Sequence, residues 1–170
     1  MNIFSRLKRQ NSQSLMQAQT HFDNGMRLAA EGHYPKAIKA YLAALEIDPK
    51  FVTAYKNLGA AYDERGQFVN ALKAYTKAIM LAPQDPELRN DLGLVYFNIG
   101  SYAEAIKAFK QALDIDSHNA WAHYCLGLVY LDLDDTQMAL AEHGQLNGPN
   151  EKHLAFQLLE KIQLQSRQAS

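Results

Sequence analysis

The strongest constraint on this chain is a repeat. Val52 to Asp85 and Pro86 to Asn119 are one 34-residue pattern written twice, in which Leu58/Leu92, Gly59/Gly93, Tyr62/Tyr96, Gly66/Gly100, Phe68/Tyr102, Ala71/Ala105, Tyr75/Phe109 and Ala78/Ala112 fall into columns. The same interval keeps Gly25, Gly32, Tyr34, Ala37, Tyr41, Ala44 and Pro49 in register upstream, and Gly127, Tyr130 and Ala139 downstream. Self-similarity at this period marks a short array of supersecondary units, each burying its apolar face on its neighbours.

The columns have physical reasons. Gly59 and Gly93, with Ala71 and Ala105 one helix away, are the small residues that two antiparallel helices need for close approach. Leu58, Tyr62, Tyr75 and their equivalents fill the space around them. Gly32, Gly66 and Gly100 stand where a first helix must stop, because glycine enters the left-handed conformation at a helix C-terminus without a steric penalty. Pro49 and Pro83 end the second helix.

This pattern, Leu-Gly-x-x-Tyr, then Gly-x-Phe/Tyr-x-x-Ala, then Tyr/Phe-x-x-Ala, closing on Pro, resembles the tetratricopeptide repeat family. The resemblance implies an all-α fold, a right-handed α-solenoid of helix-turn-helix repeats. Three clear repeats are expected at about residues 18–51, 52–85 and 86–119, with a degenerate fourth at 120–149 and a capping helix at about 151–165, so that the repeat domain spans 18–165.

Residues 1–17 lie outside the repeats. Arg6, Lys8 and Arg9 make them a basic arm without an acid, and Ile3, Phe4 and Leu7 share a helical face, so contact with a membrane surface or a partner is conceivable. A frayed terminus is the expectation, since a few apolar residues bury little area. Asn24 replaces the leucine of later repeats and predicts a less enclosed first helix. In the fourth repeat Asp134, Thr136, His143 and Leu146 replace glycine, two aromatics and alanine, which predicts a short or irregular second helix. Gly148 and Pro149 break it, Asn150 is placed to cap the last helix, and Leu154, Leu158, Leu159 and Ile162 give that helix an apolar face. Gln165 to Ser170 reads as a loose tail.

Charge and chemistry exclude more than they suggest. Lysine and arginine total 17 against 18 acids, a net charge of −1, so no global field favours nucleic acid. No apolar run is long enough to span a membrane. The single cysteine, Cys125, fits a reducing, cytoplasmic setting, with a periplasmic or membrane-peripheral one as the alternative. Six histidines are present, but His118/His123 and His143/His153 lack the spacing and companions of a ligand set, so no metal or cofactor is expected. His21 and His123 share a column and are assigned a packing role. Asp132, Asp134 and Asp135 read as a solvated helix end, because they lack the glycine and terminal glutamate of a calcium loop. Triads, phosphate loops and dinucleotide fingerprints are missing.

What the resemblance implies beyond the fold is a concave groove lined by the first helices. Carried over by register, its partner-binding residues would be Phe22, Met26, Lys56, Asn90, Leu94, Phe97, Trp121, Tyr124 and Leu128. The second repeat is polar, the last two hold most of the large apolar residues of this set, and rigid aromatics are typical anchors. Some family members clamp the C-terminal carboxylate of a heat-shock chaperone. Here Asn57 fits that pattern, but Phe22, Met26, Glu87 and Asp91 occupy the other clamp positions, so an anionic chain end would meet like charge. The expected function is a non-catalytic adaptor or assembly factor holding an apolar or amphipathic protein segment. A small secretion-type chaperone is the alternative within this fold, and an enzyme or metal protein the alternative of another class.

Overall fold

The computed structural model describes residues 3–148 and 151–168, with side chains described from Ser12 to Arg167. All regular structure among them is helical. The chain divides into two compact units, Met1–Pro83 and Gln84–Ser170. The first holds α1 (Ile3–Ala30), α2 (Tyr34–Ile47), α3 (Val52–Asp63) and α4 (Phe68–Leu81). The second holds α5 (Pro86–Asn98), α6 (Tyr102–Ile115), α7 (Ala120–Asp132), α8 (Thr136–His143) and α9 (Lys152–Gln168).

Each hairpin turns in the same way. Gly32, Gly66 and Gly100 have φ of 74°, 65° and 73°, and the next amide reaches back to close the helix end: His33 N–H donates to the Leu28 carbonyl, Gln67 to Tyr62, and Ser101 to Tyr96. The fourth turn keeps this geometry without glycine. Asp134 has φ of 59°, and Asp135 N–H donates to the Tyr130 carbonyl. Aspartate is among the few side chains that visit this region routinely.

The glycine column has a sharper role than close approach alone. A Cβ on Gly25, Gly59 or Gly93 would come within 2.5, 2.9 and 2.7 Å of the rings of Tyr41, Tyr75 and Phe109. Each first helix thus offers a bare strip of backbone on which the aromatic of the second helix lies. The alanines of the second helices, Ala37, Ala71, Ala105 and Ala139, are fully buried beside it.

In the first unit one core gathers Phe22, Ile38, Tyr41, Leu45 and Leu58. Helix α1 begins at Ile3, within the stretch 1–17 expected to lie outside the repeats as a frayed arm. α1 runs unbroken through it to Ala30, since residues 3–30 contain no proline and only one glycine, and each added residue gains a backbone bond. The side chains of Arg6, Lys8 and Arg9 lie outside the described residues. Asn24 is exposed, as its polarity predicts.

The second unit departs from the repeat where the sequence does. α8 has 8 residues where α2, α4 and α6 have 14, and Ala139 is its one buried residue. No aromatic of α8 can fill the column of Gly127. Leu158 of α9 fills it: a Cβ on Gly127 would lie 2.5 Å from Leu158 Cδ2. Leu158 and Ile162 are buried with Leu126, Val129 and Leu146 in the core of this unit, so α9 supplies both a cap and the missing second-helix contact. Pro149 and the predicted cap Asn150 lie outside the described residues. The loose tail is not found at Gln165, whose side-chain amide donates to the Leu131 carbonyl at 2.9 Å and to Asp134 Oδ1 at 2.7 Å. These bonds hold α9 to the fourth turn.

Candidate functional site

The residues assigned to a groove by register do not share one environment. In the first unit Phe22 is only 6% exposed and lies against the rings of Tyr41 and Phe51, at centroid distances of 5.8 and 4.8 Å. It is core. Met26 is exposed, and Lys56 is half-buried.

In the second unit Asn90 and Tyr124 are also interior. Asn90 donates from Nδ2 to Asn119 Oδ1 at 3.0 Å, and that oxygen accepts the Ala122 N–H as the cap of α7. Asn90 therefore fastens α5 to the start of α7. Tyr124 is 8% exposed because Trp121 stacks over it, at 5.5 Å and 28°. Burial, with a smaller contribution from the neighbouring Cys125, raises the Tyr124 phenol above its usual range. Trp121 itself is 43% exposed. Leu94, Phe97 and Leu128 are half-buried.

Two of these residues meet in a pocket of about 530 Å³. Phe97 comes from the last turn of α5, and Leu128 and Leu131 from the second half of α7. Leu164, Lys161 and Gln165 of α9 close the far side, and Asp132 and Asp134 rim it at the α7 turn. A cavity of this size is in the range of roughly 300–1,000 Å³ usual for ligand sites. α9 forms one wall of this pocket, while Leu131 is buried in the same core as Leu158 and Ile162 of that helix.

The rim is ordered. Tyr102 donates from its hydroxyl to Asp132 Oδ2 at 3.2 Å, and the charge on Asp132, aided by burial and this bond, raises the Tyr102 phenol. The Tyr102 ring lies 6.0 Å from that of Phe97. Asp134 is fixed by Gln165. Leu164, Lys161 and Gln165 escaped the reading by register, because α9 has no counterpart in the earlier repeats; Asp132 and Asp134, which the sequence reads as a solvated helix end, rim the pocket.

Other candidate chemistry resolves into structure. His21 is exposed, so the packing role assigned to it fails: its helix has nothing on that side. His123 is buried, with Nδ1 2.7 Å from Glu142 Oε2 and Nε2 3.2 Å from the Ser117 carbonyl. It ties α8 to α7. Cys125 is 2% exposed, and burial pushes its thiol up to about 12, which keeps it protonated and unreactive at neutral pH. Among the described residues no three of histidine, cysteine, aspartate and glutamate converge as metal ligands, and no helix is long and apolar enough to cross a membrane.

Helical hairpins with glycine-closed turns, glycine-aromatic interlocks and a terminal helix define a helical-repeat protein, with a pocket of mixed apolar and charged lining between α5, α7 and α9 of its second unit. The family models agree. Models of the TPR repeat match residues 25–64 and 96–134, and one of the tetratricopeptide repeat matches 52–85, together more than half of the chain. The chain belongs to the tetratricopeptide repeat family.

Solved structures share the fold. A MamA protein is similar at 24% identity over 89% of this chain and 92% of its own, with a TM-score of 0.69. The Sgt2 TPR domain from Aspergillus fumigatus is 23% identical over 71% of this chain and 81% of its own, with a TM-score of 0.64. The first TPR of Spaghetti (RPAP3), bound to the HSP90 peptide SRMEEVD, is 22% identical over 70% of this chain and 94% of its own, with a TM-score of 0.66. No curated protein matches the chain in sequence.

Proposed function

We propose that this protein is a non-catalytic adaptor or assembly factor that holds an apolar or amphipathic segment of another protein, and that the segment docks in the pocket between α5, α7 and α9. The observation that carries this reading is the pocket itself. Phe97, Leu128 and Leu164 keep apolar surface turned to it that the glycine-aromatic interlocks do not use. Support comes also from the fold: the similar Spaghetti domain holds an HSP90 peptide. That peptide is acidic, whereas Glu87 and Asp91 stand here at two clamp positions, so a different segment chemistry is expected at this face.

The test is selection of peptides from a random display library against the full chain, followed by binding to Phe97→Ala. Losing a buried aromatic anchor is worth about 2 kcal/mol, roughly thirtyfold in affinity. Selected peptides should weaken by that order while helicity is retained. Peptides that bind the variant equally well place the partner elsewhere and refute this reading.

A further inference from the structure

Resting on that reading, we infer that the segment held in the pocket is cationic as well as apolar, with leucine- or phenylalanine-like side chains on the floor and a lysine or arginine at the α7 rim. Three features of the pocket point to such a segment.

The first is a pair of carboxylates with spare acceptors. Asp132 uses Oδ2 for Tyr102 and Asp134 uses Oδ1 for Gln165, and among the described residues no lysine or arginine forms an ion pair with either. Neutral donors fix their positions without cancelling their charge. The second is the end of α7. A helix C-terminus carries about half a negative charge, and at α7, with no basic side chain in its last turn, this adds to the two carboxylates. The third is the floor. Phe97, Leu128, Leu131 and Leu164 offer apolar contacts directly beside both aspartates, so a cationic group and its apolar neighbours can be held together. Among the described residues Lys161 on the α9 wall is the one cation lining the pocket, which gives the lining two acids against one base.

An anionic segment would face both carboxylates and the negative end of α7, with Lys161 alone in its favour. A neutral apolar segment would fill the floor and leave the rim solvated. A segment with a lysine or arginine next to its apolar anchors meets every feature at once, and the guanidinium of arginine can share its donors between two carboxylates.

The experiment uses three synthetic peptides of the same length and leucine pattern, with lysine, glutamine or glutamate at the remaining positions, and reads anisotropy with the full chain. The lysine peptide should bind most tightly and the glutamate peptide least. Asp132→Asn and Asp134→Asn keep size and hydrogen bonding, and asparagine accepts the left-handed backbone at 134. Each should weaken the lysine peptide roughly two- to fivefold, the range of a partly exposed ion pair, and leave the glutamine peptide unchanged. Lys161→Glu should strengthen the lysine peptide. High salt should erase its advantage over the glutamine peptide, because the Debye length falls from about 10 Å at 0.1 M to about 3 Å at 1 M.

The outcomes separate the two readings. If Phe97→Ala weakens all three peptides but the glutamate form binds best, or the asparagine variants change nothing, the cationic preference is wrong and the pocket stands. If Phe97→Ala changes none of them, or none binds, the pocket is not the docking site and both readings fall.

Discussion

Gly93 has no room for a methyl group. Its Cβ would meet Cε1 of Phe109 at 2.7 Å, and Phe109 is fully buried and cannot swing aside. Gly93→Ala should therefore destabilise by about 1–3 kcal/mol, the usual cost of overpacking, measured by urea unfolding. Asp134 poses the opposite problem, since φ of 59° suits glycine. Asp134→Ala should cost about 1–2 kcal/mol, because alanine in the left-handed region has no compensating bond. Asp134→Gly should lie close to wild type, as it exchanges the Gln165 bond for a relaxed backbone. Equal effects of the two would show that φ is not what constrains this position. Cys125 sets a pH dependence. Burial raises its thiol from 9.0 to about 12, so above pH 9 the unfolded chain ionises while the folded one does not. This contribution to stability is intact below pH 9 and declines as pH rises toward 12. Cys125→Ala should remove that share of the alkaline decline.

At the scale of elements, α9 matters because α8 cannot complete the fourth hairpin. α6 buries Ala105, Ala108, Phe109 and Ala112, while α8 buries only Ala139. Amide exchange in α8 should be faster than in α6, and equal protection would contradict this account. Leu158 stands where an aromatic stands in the other repeats. Leu158→Ala should cost about 2–5 kcal/mol, as for other fully buried leucines. Gly127→Ala also destabilises, but the double variant should cost less than the two single costs together, because alanine at 158 vacates the space that the new methyl enters. Simple additivity would mean that the contact is not what orders α9. Two polar contacts supplement the apolar ones: Gln165 on Asp134 joins α9 to the fourth turn, and Glu142 on His123 joins α8 to α7.

For the whole molecule, the two units each have their own buried core, centred on Tyr41 and Leu58 in one and on Phe109, Leu126 and Leu158 in the other. Apolar burial and the interlocks hold the described structure, and no cluster of metal-ligating side chains is found among the described residues. Chelators should leave the melting temperature unchanged, and a shift at stoichiometric zinc would overturn that assignment. Binding has its own signature at this scale. It should follow the pocket in the second unit and respond to salt only through the carboxylate rim.

The amino-acid sequence by itself determined the hairpins, their turns and the columns that join them. These depend on local backbone preference and on contacts repeated at a fixed interval, so Gly66 and Gly100, or Tyr75 and Phe109, state the same instruction twice. The shortened α8 was legible for the same reason, as a loss of that instruction. Tertiary structure decided the rest. Register placed Phe22, Asn90 and Tyr124 on an open wall, yet each is covered by a neighbour outside its own column: the Tyr41 and Phe51 rings, the α7 cap, and Trp121. Leu158 under Gly127, and Gln165 on the fourth turn, join a helix without a repeat counterpart to one that has several. No periodic pattern can encode such a contact, because its geometry arises only when unlike elements pack, and the pocket lies at that junction.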